Sequence, residues 1–130
     1  MTESNSGPQG ELVLRTLAMP ADTNANGDIF GGWLLSQMDI AGGLAAKQQS
    51  QGRVVTVAID AMTFHQPVYV GDVICCYADM LRVGTTSMSI QIQAWVIRQA
   101  FGKERIKVTE GTFTFVAINE QGRPRPVLPT

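Results

Sequence analysis

The stretch from a start near Gly31–Trp33 to just before Gly52 reads as one long helix with almost no polar side. Projected at ~100° per residue, Leu34, Leu35, Met38, Ala41, Gly42, Ala45 and Ala46 cover one broad face. Trp33, Ile40 and Leu44 cover another. Ser36 with Lys47, and Gln37 with Gln48, leave only narrow polar wedges. A helix of this kind is expected to be buried on most sides. The rest of the chain must therefore wrap around it.

The rest reads as strands. Glu11 to Leu17 alternates loosely and stops before Pro20. Val54 to Met62 alternates, with Val55, Val57, Ile59 and Ala61 expected on one face. A turn region at Pro67 and Gly71-Asp72 leads into Val73 to Val83, which Gly84 ends. Met88, Ile90, Ile92, Ala94 and Val96 give the cleanest period of two. After a polar loop at Gln99 to Glu104, Ile106 to Ile118 closes the set, with Phe113 and Phe115 on one face. One helix cannot supply the crossovers of a parallel sheet, so the last strands should be mainly antiparallel. The expected fold is α+β: a curved antiparallel sheet wrapped around one long central helix. Residues 11–126 form the expected single domain, with a disordered tail at 1–10 and a short tail at 127–130.

Bulk composition narrows the function classes. A net charge of −1, with no basic stripe, leaves no footprint for nucleic acid. No apolar run is long enough to span a membrane. The polar N-terminus lacks a signal-peptide pattern, so a cytoplasmic protein is expected. Charged residues make up only 16%, below the ~25% usual for soluble domains, which suggests surface hidden in an oligomer. The adjacent Cys75 and Cys76 would point to opposite faces of a strand, which suits small core residues rather than a mutual disulfide. No His/Cys cluster supplies metal ligands, and no cofactor is expected.

The chemistry concentrates where the loop Asp22-Thr23-Asn24-Ala25-Asn26-Gly27-Asp28-Ile29-Phe30 runs into the helix at Gly31-Gly32-Trp33. A helix start offers unpaired N–H groups and a positive dipole end. Glycines there let a carbonyl oxygen approach without obstruction. Asp39 follows less than two turns after a start near Trp33. It is either a site group, as general base or nucleophile, or a structural one that pairs with Lys47 or caps a neighbouring segment. An apolar setting favours its neutral form, and a nearby helix start favours its anion. Asn24, Asn26 and Asp28 suit Asx-turns and caps, with Asn24 and Asp28 also placed to neighbour a site. His65 is the sole histidine, but no Gly-x-Ser-x-Gly elbow accompanies it, so it is not expected to be catalytic.

From about Glu11 to Pro126 the chain resembles the YciA-like branch of the hot-dog acyl-CoA thioesterases. The resemblance rests on Leu17-Ala18-Met19-Pro20, the run from Asp22 to Trp33, and Ser36-Gln37-Met38-Asp39. Gly52-Arg53-Val54-Val55-Thr56-Val57, Pro67-Val68-Tyr69-Val70-Gly71-Asp72-Val73 and Val83-Gly84-Thr85-Thr86-Ser87 extend it. It implies the hot-dog fold and a hydrolase that cleaves acyl-CoA to a fatty acid and free CoA. It also implies a homodimer with sites across its interface, assembled into a hexamer as a trimer of dimers.

In that pattern Asp39 is the catalytic carboxylate, withdrawn from bulk water, and the Gly31-Gly32 region polarises the thioester carbonyl. Asp28 lies at the site. Asn24 and Phe30 belong to the substrate-binding side, and Asp28 and Asn24 are expected to face an Asp39 from the other subunit. The turn Gly84, Thr85, Thr86 and Ser87 is implied to lie near the pantetheine or nucleotide of CoA. Some relatives carry arginine where this chain has Thr85. By charge, Arg53, Arg82, Lys103, Arg105, Arg123 and Arg125 are candidates for the phosphates, with Arg53 the one assigned to binding. A non-catalytic acyl-CoA-binding module and a hot-dog hydratase or dehydratase are the competing readings.

Overall fold

The structure, a computed structural model, describes residues 7–98 and 104–128. The polar loop at 99–103, with Lys103, most of the N-terminal tail and the last two residues lie outside them. The elements are β1 (Glu11–Leu17), a 3-10 turn (Pro20–Asp22), α1 (Gly31–Ser50), β2 (Val54–Phe64), β3 (Val73–Val83), β4 (Ser87–Arg98) and β5 (Glu104–Ala117). The strands form one antiparallel sheet in the order β1-β3-β4-β5-β2. The helix packs against the sheet and touches all five strands. This is the expected α+β arrangement of a hot-dog fold.

The core sits between helix and sheet. Met38, Ala41 and Ala46 of α1 are fully buried against Ile90, Ile92, Phe113 and Phe115. Gly42 fits because it has no side chain: a Cβ there would stand 2.8 Å from the Phe115 ring. Cys75 and Cys76 are buried and free. Burial pushes the Cys76 thiol up to about 12.

Three expectations change. The helix is not buried on most sides within one chain: Leu34, Met38 and Ala41 face the sheet, while Ile40 and Leu44 stay about half exposed. β2 carries two bulges against β5 that its residue pattern does not announce. Thr56 lies opposite Phe115 and Ile59 opposite Phe113, with the register shifting between Thr56 and Ala58. The register shifts again between Asp60 and Thr63, where Ala61 adopts a φ of 58°. Val55, Val57, Ile59 and Ala61 are all exposed, and they alternate with half-buried Val54, Thr56 and Ala58 as far as Ile59. Third, Val127 is not part of a tail. It is fully buried, and its N–H donates to the Thr85 carbonyl (2.8 Å).

Candidate active site

The loop before α1 is built by its own polar groups. The Asn24 side-chain Oδ1 accepts the N–H groups of Asn26 (2.9 Å) and Asp28 (3.1 Å). The Asn24 N–H in turn donates to the Asp28 carbonyl (2.7 Å), and Gly27 makes the bend at φ 84°. Asn24 is thus committed to loop geometry, and Asp28 is held exposed at the tip. Ile29 is buried, and its N–H donates to the Val68 carbonyl. This anchors the chain as it enters the helix at Phe30.

The helix start carries no side-chain cap. Its first N–H groups, on Gly31 and Gly32, lack the i−4 carbonyls that would satisfy them inside a helix. Both glycines are exposed. Gly31 opens onto a hollow of about 180 Å³ whose walls include Phe30, Leu34, Phe64, Pro67 and Val68. The far wall is braced from behind: Arg98 donates to both carboxylate oxygens of buried Asp72 (3.1 and 2.8 Å) and to the Pro67 carbonyl. The Asp72 hydrogen bond and charge hold the Arg98 guanidinium above its ordinary range.

Asp39 lies on the ninth residue of the helix, so it is more than two turns from the start. At 1.5 Å per residue that is ~12 Å from Gly31. It is half-buried in the single chain, less withdrawn than expected. Its partner is not Lys47. The Thr56 hydroxyl donates to Asp39 Oδ1 at 2.6 Å. Thr56 escaped the functional reading because it looks like one more β-branched residue in a strand. The available signal was a hydroxyl inside the apolar run Val54 to Ile59.

The third group of candidates sits at the opposite end of the helix. Gly84, Thr85, Thr86 and Ser87 form the β3–β4 turn, closed by the Gly84 N–H on the Ser87 carbonyl (2.7 Å). Thr86 accepts from Ala117, which pairs with Val54, so Arg53 lies at this end too. Arg53 donates to the carbonyls of Asn119 and Glu120. Arg105 is engaged with the Tyr77 hydroxyl. Arg125 donates to the carbonyls of Ile118, Pro126 and Ser50, the last of these ending α1. Arg82 and Arg123 are exposed. His65 is an exposed residue just past β2, tied by its backbone N–H to Val108. Among the described residues, no three or more His, Cys, Asp or Glu side chains gather as a metal site.

One chain therefore separates the predicted site into three places. Asn24, Asp28, Phe30, Gly31 and Gly32 cluster at the helix start. Asp39 and Thr56 meet partway along. Arg53 and the Gly84–Ser87 turn lie at the far end.

Comparison with known proteins adds a second line. The thioesterase superfamily pattern matches residues 26–100. The acyl-CoA thioester hydrolase YciA of Salmonella typhimurium is 60% identical over 129 residues, covering 98% of this chain and 97% of the relative. The hexameric thioesterase y2039 of Yersinia pestis superposes with a TM-score of 0.90 at 59% identity, over 95% of this chain and 98% of that one. An acyl-CoA hydrolase of Staphylococcus aureus, solved with butyryl coenzyme A and coenzyme A, gives 0.79 at 27% identity, over 87% and 68%. Its solved alanine variants replace an asparagine, an aspartate and a threonine. Those three follow one another at the same spacings as Asn24, Asp39 and Thr56 here.

Proposed function

Because this chain belongs to the thioesterase superfamily, in its YciA-like acyl-CoA thioester hydrolase branch, we propose that it hydrolyses acyl-CoA to a carboxylic acid and CoA at sites shared between two copies. The observation that carries this reading is the Asp39–Thr56 pair, set ~12 Å along the helix from the unpaired N–H groups of the same chain. A carbonyl oxygen must lie within ~3 Å of its donors. An attacking water must reach the same carbonyl carbon while bonded to its base. One chain cannot meet both demands, but two can. A two-fold pairing with antiparallel helices carries the helix start of one copy toward Asp39 and the Gly84–Ser87 end of the other.

In this arrangement Thr56 fixes the Asp39 carboxylate through Oδ1. The carboxylate takes a proton from water, and the water oxygen attacks the thioester carbon. Gly31 and Gly32 of the other copy donate to the oxyanion, with Asp28 and Asn24 framing the site. The C–S bond then breaks, and the proton returns to the departing thiolate of CoA. Phe30 contacts the substrate near the carbonyl. Arg53 and the donors of Gly84, Thr85, Thr86 and Ser87 receive the pantetheine and phosphate portions. The copies pair as homodimers that assemble into a hexamer, in keeping with the hexameric relative. No helix among the described residues is long and apolar enough to cross a membrane. Two free cysteines suit a reducing compartment, and we place the enzyme in the cytoplasm.

The test is thiol release from acyl-CoA by the wild type and by Asp39→Asn. Loss of general-base catalysis lowers kcat by about 10²–10⁴-fold. A folded Asp39→Asn enzyme with full activity removes Asp39 from the reaction. Single turnover in ¹⁸O-water separates the two chemistries: label in the acid alone supports water attack, and label entering Asp39 supports an anhydride.

A further inference from the structure

We infer that Phe64 is the residue that sets acyl-chain length, and that the second bulge of β2 exists to present it. The inference rests on the thioesterase reading above. Phe64 lies opposite Thr109, immediately after the register shift between Asp60 and Thr63. Ala61 takes the left-handed conformation there, which costs energy for a residue with a Cβ. Met62 fills the space over Gly111, where any side chain would collide with its sulfur. The Thr109 hydroxyl donates to the Thr63 carbonyl and pins the strand beyond the bulge. Bulges serve to re-aim a side chain next to a site. Here the re-aimed side chain is a phenylalanine left 50% exposed, its ring 3.6 Å from where a Gly31 Cβ would stand.

Phe64 thereby becomes a wall of the hollow beside the unpaired N–H groups. The other walls are apolar, with Gln66 the one polar side chain among them. No Lys or Arg lines it, whereas Arg53 and the turn donors lie at the far end of the chain. The hollow therefore suits the hydrocarbon side of the thioester rather than the phosphates of CoA. Its volume, about 180 Å³, is close to the ~150 Å³ of an apolar cavity that accepts a benzene-sized group, the bulk of a short chain.

The experiment is kcat/KM for straight-chain acyl-CoAs from acetyl to dodecanoyl, on wild type, Phe64→Ala and Phe64→Trp, with folding checked by circular dichroism. For the wild type, kcat/KM rises about fourfold per methylene until the hollow is full, then levels off. Phe64→Ala moves the plateau to longer chains, and Phe64→Trp moves it to shorter ones. If both folded variants keep the wild-type profile, scaled by one factor at every length, the inference is overturned while the thioesterase reading stands. Absence of thiol release by the wild type on every substrate overturns that reading and this inference with it.

Discussion

Thr56 shows how much depends on a single hydroxyl. A carboxylate on the half-open side of a helix has several rotamers, and only some of them aim an oxygen at substrate. The 2.6 Å bond from Thr56 selects among them. A hydrogen bond to a charged group contributes about 1.5–3 kcal/mol. Thr56→Val should therefore lower kcat about ten- to a hundredfold with KM little changed, while Thr56→Ser keeps most of the activity. Steady-state kinetics on one acyl-CoA decides it, and an unaltered kcat in the valine variant would show that Asp39 needs no such guide. Cys76 is the opposite case, a reactive residue type made inert. Its thiol is fully buried and pushed up to about 12 from 9.0 by loss of solvation. Its folded form thus holds a proton that the unfolded chain gives up above pH 9. Stability from this group is complete below pH 9 and falls as pH rises toward 12, by up to ~1.4 kcal/mol per pH unit. Urea midpoints measured from pH 8 to 10.5 should fall less steeply in Cys76→Ala than in the wild type.

The two mid-helix glycines separate at the scale of the element. A glycine inside a helix commonly marks a close approach, and only one of these two does. A Cβ on Gly42 would stand 2.8 Å from the buried Phe115 ring, whereas one on Gly43 would make an ordinary contact at 3.9 Å. Helix propensity favours alanine over glycine by about 1 kcal/mol, and overpacking a core costs about 1–3 kcal/mol. Gly42→Ala is accordingly expected to lose ~1 kcal/mol net, and Gly43→Ala to gain up to ~1 kcal/mol. Chemical denaturation of the two single variants measures both signs. The same contrast marks what was legible. Helix α1 was readable to within about a turn of its start because a long apolar pattern bounded by glycines has few alternatives, and β1 and β3 were equally plain. Strand β2 was not. Its residue types alternate, but a bulge depends on which neighbour each residue meets in β5, and no local propensity records that. The partners that Ile59 and Phe64 meet in β5 are set only by those register shifts. The distance within the candidate site was less legible, since a helix start placed near Trp33 shortens the ~12 Å between Gly31 and Asp39.

At the scale of the molecule, a single chain leaves too much apolar surface uncovered. Ile40 and Leu44 of the helix are 50% and 48% exposed, and Val55 and Val57 of the edge strand β2 are 43% and 54% exposed. With charged residues at only 16%, little else is available to hold water on these faces. A two-fold partner covers such patches and, on the reading proposed here, completes the site as well. That dual role makes a sharp test possible. Gly31→Pro removes one N–H donor while leaving the helix able to form, because proline is tolerated at the first helical position. Phe30, at φ −77° and ψ 147°, already has the conformation that a following proline demands. Gly31→Pro alone should lose about 10²–10³-fold in kcat, and Asp39→Asn alone about as much or more. When the two variants are unfolded together and refolded as an equal mixture, about half of the dimers contain one chain of each kind. In every mixed dimer one site carries both defects and the other carries none. Activity should therefore return to about one quarter of the wild-type value in the mixture. A site contained in one chain would show no recovery, because each chain would keep its own defect whatever its partner.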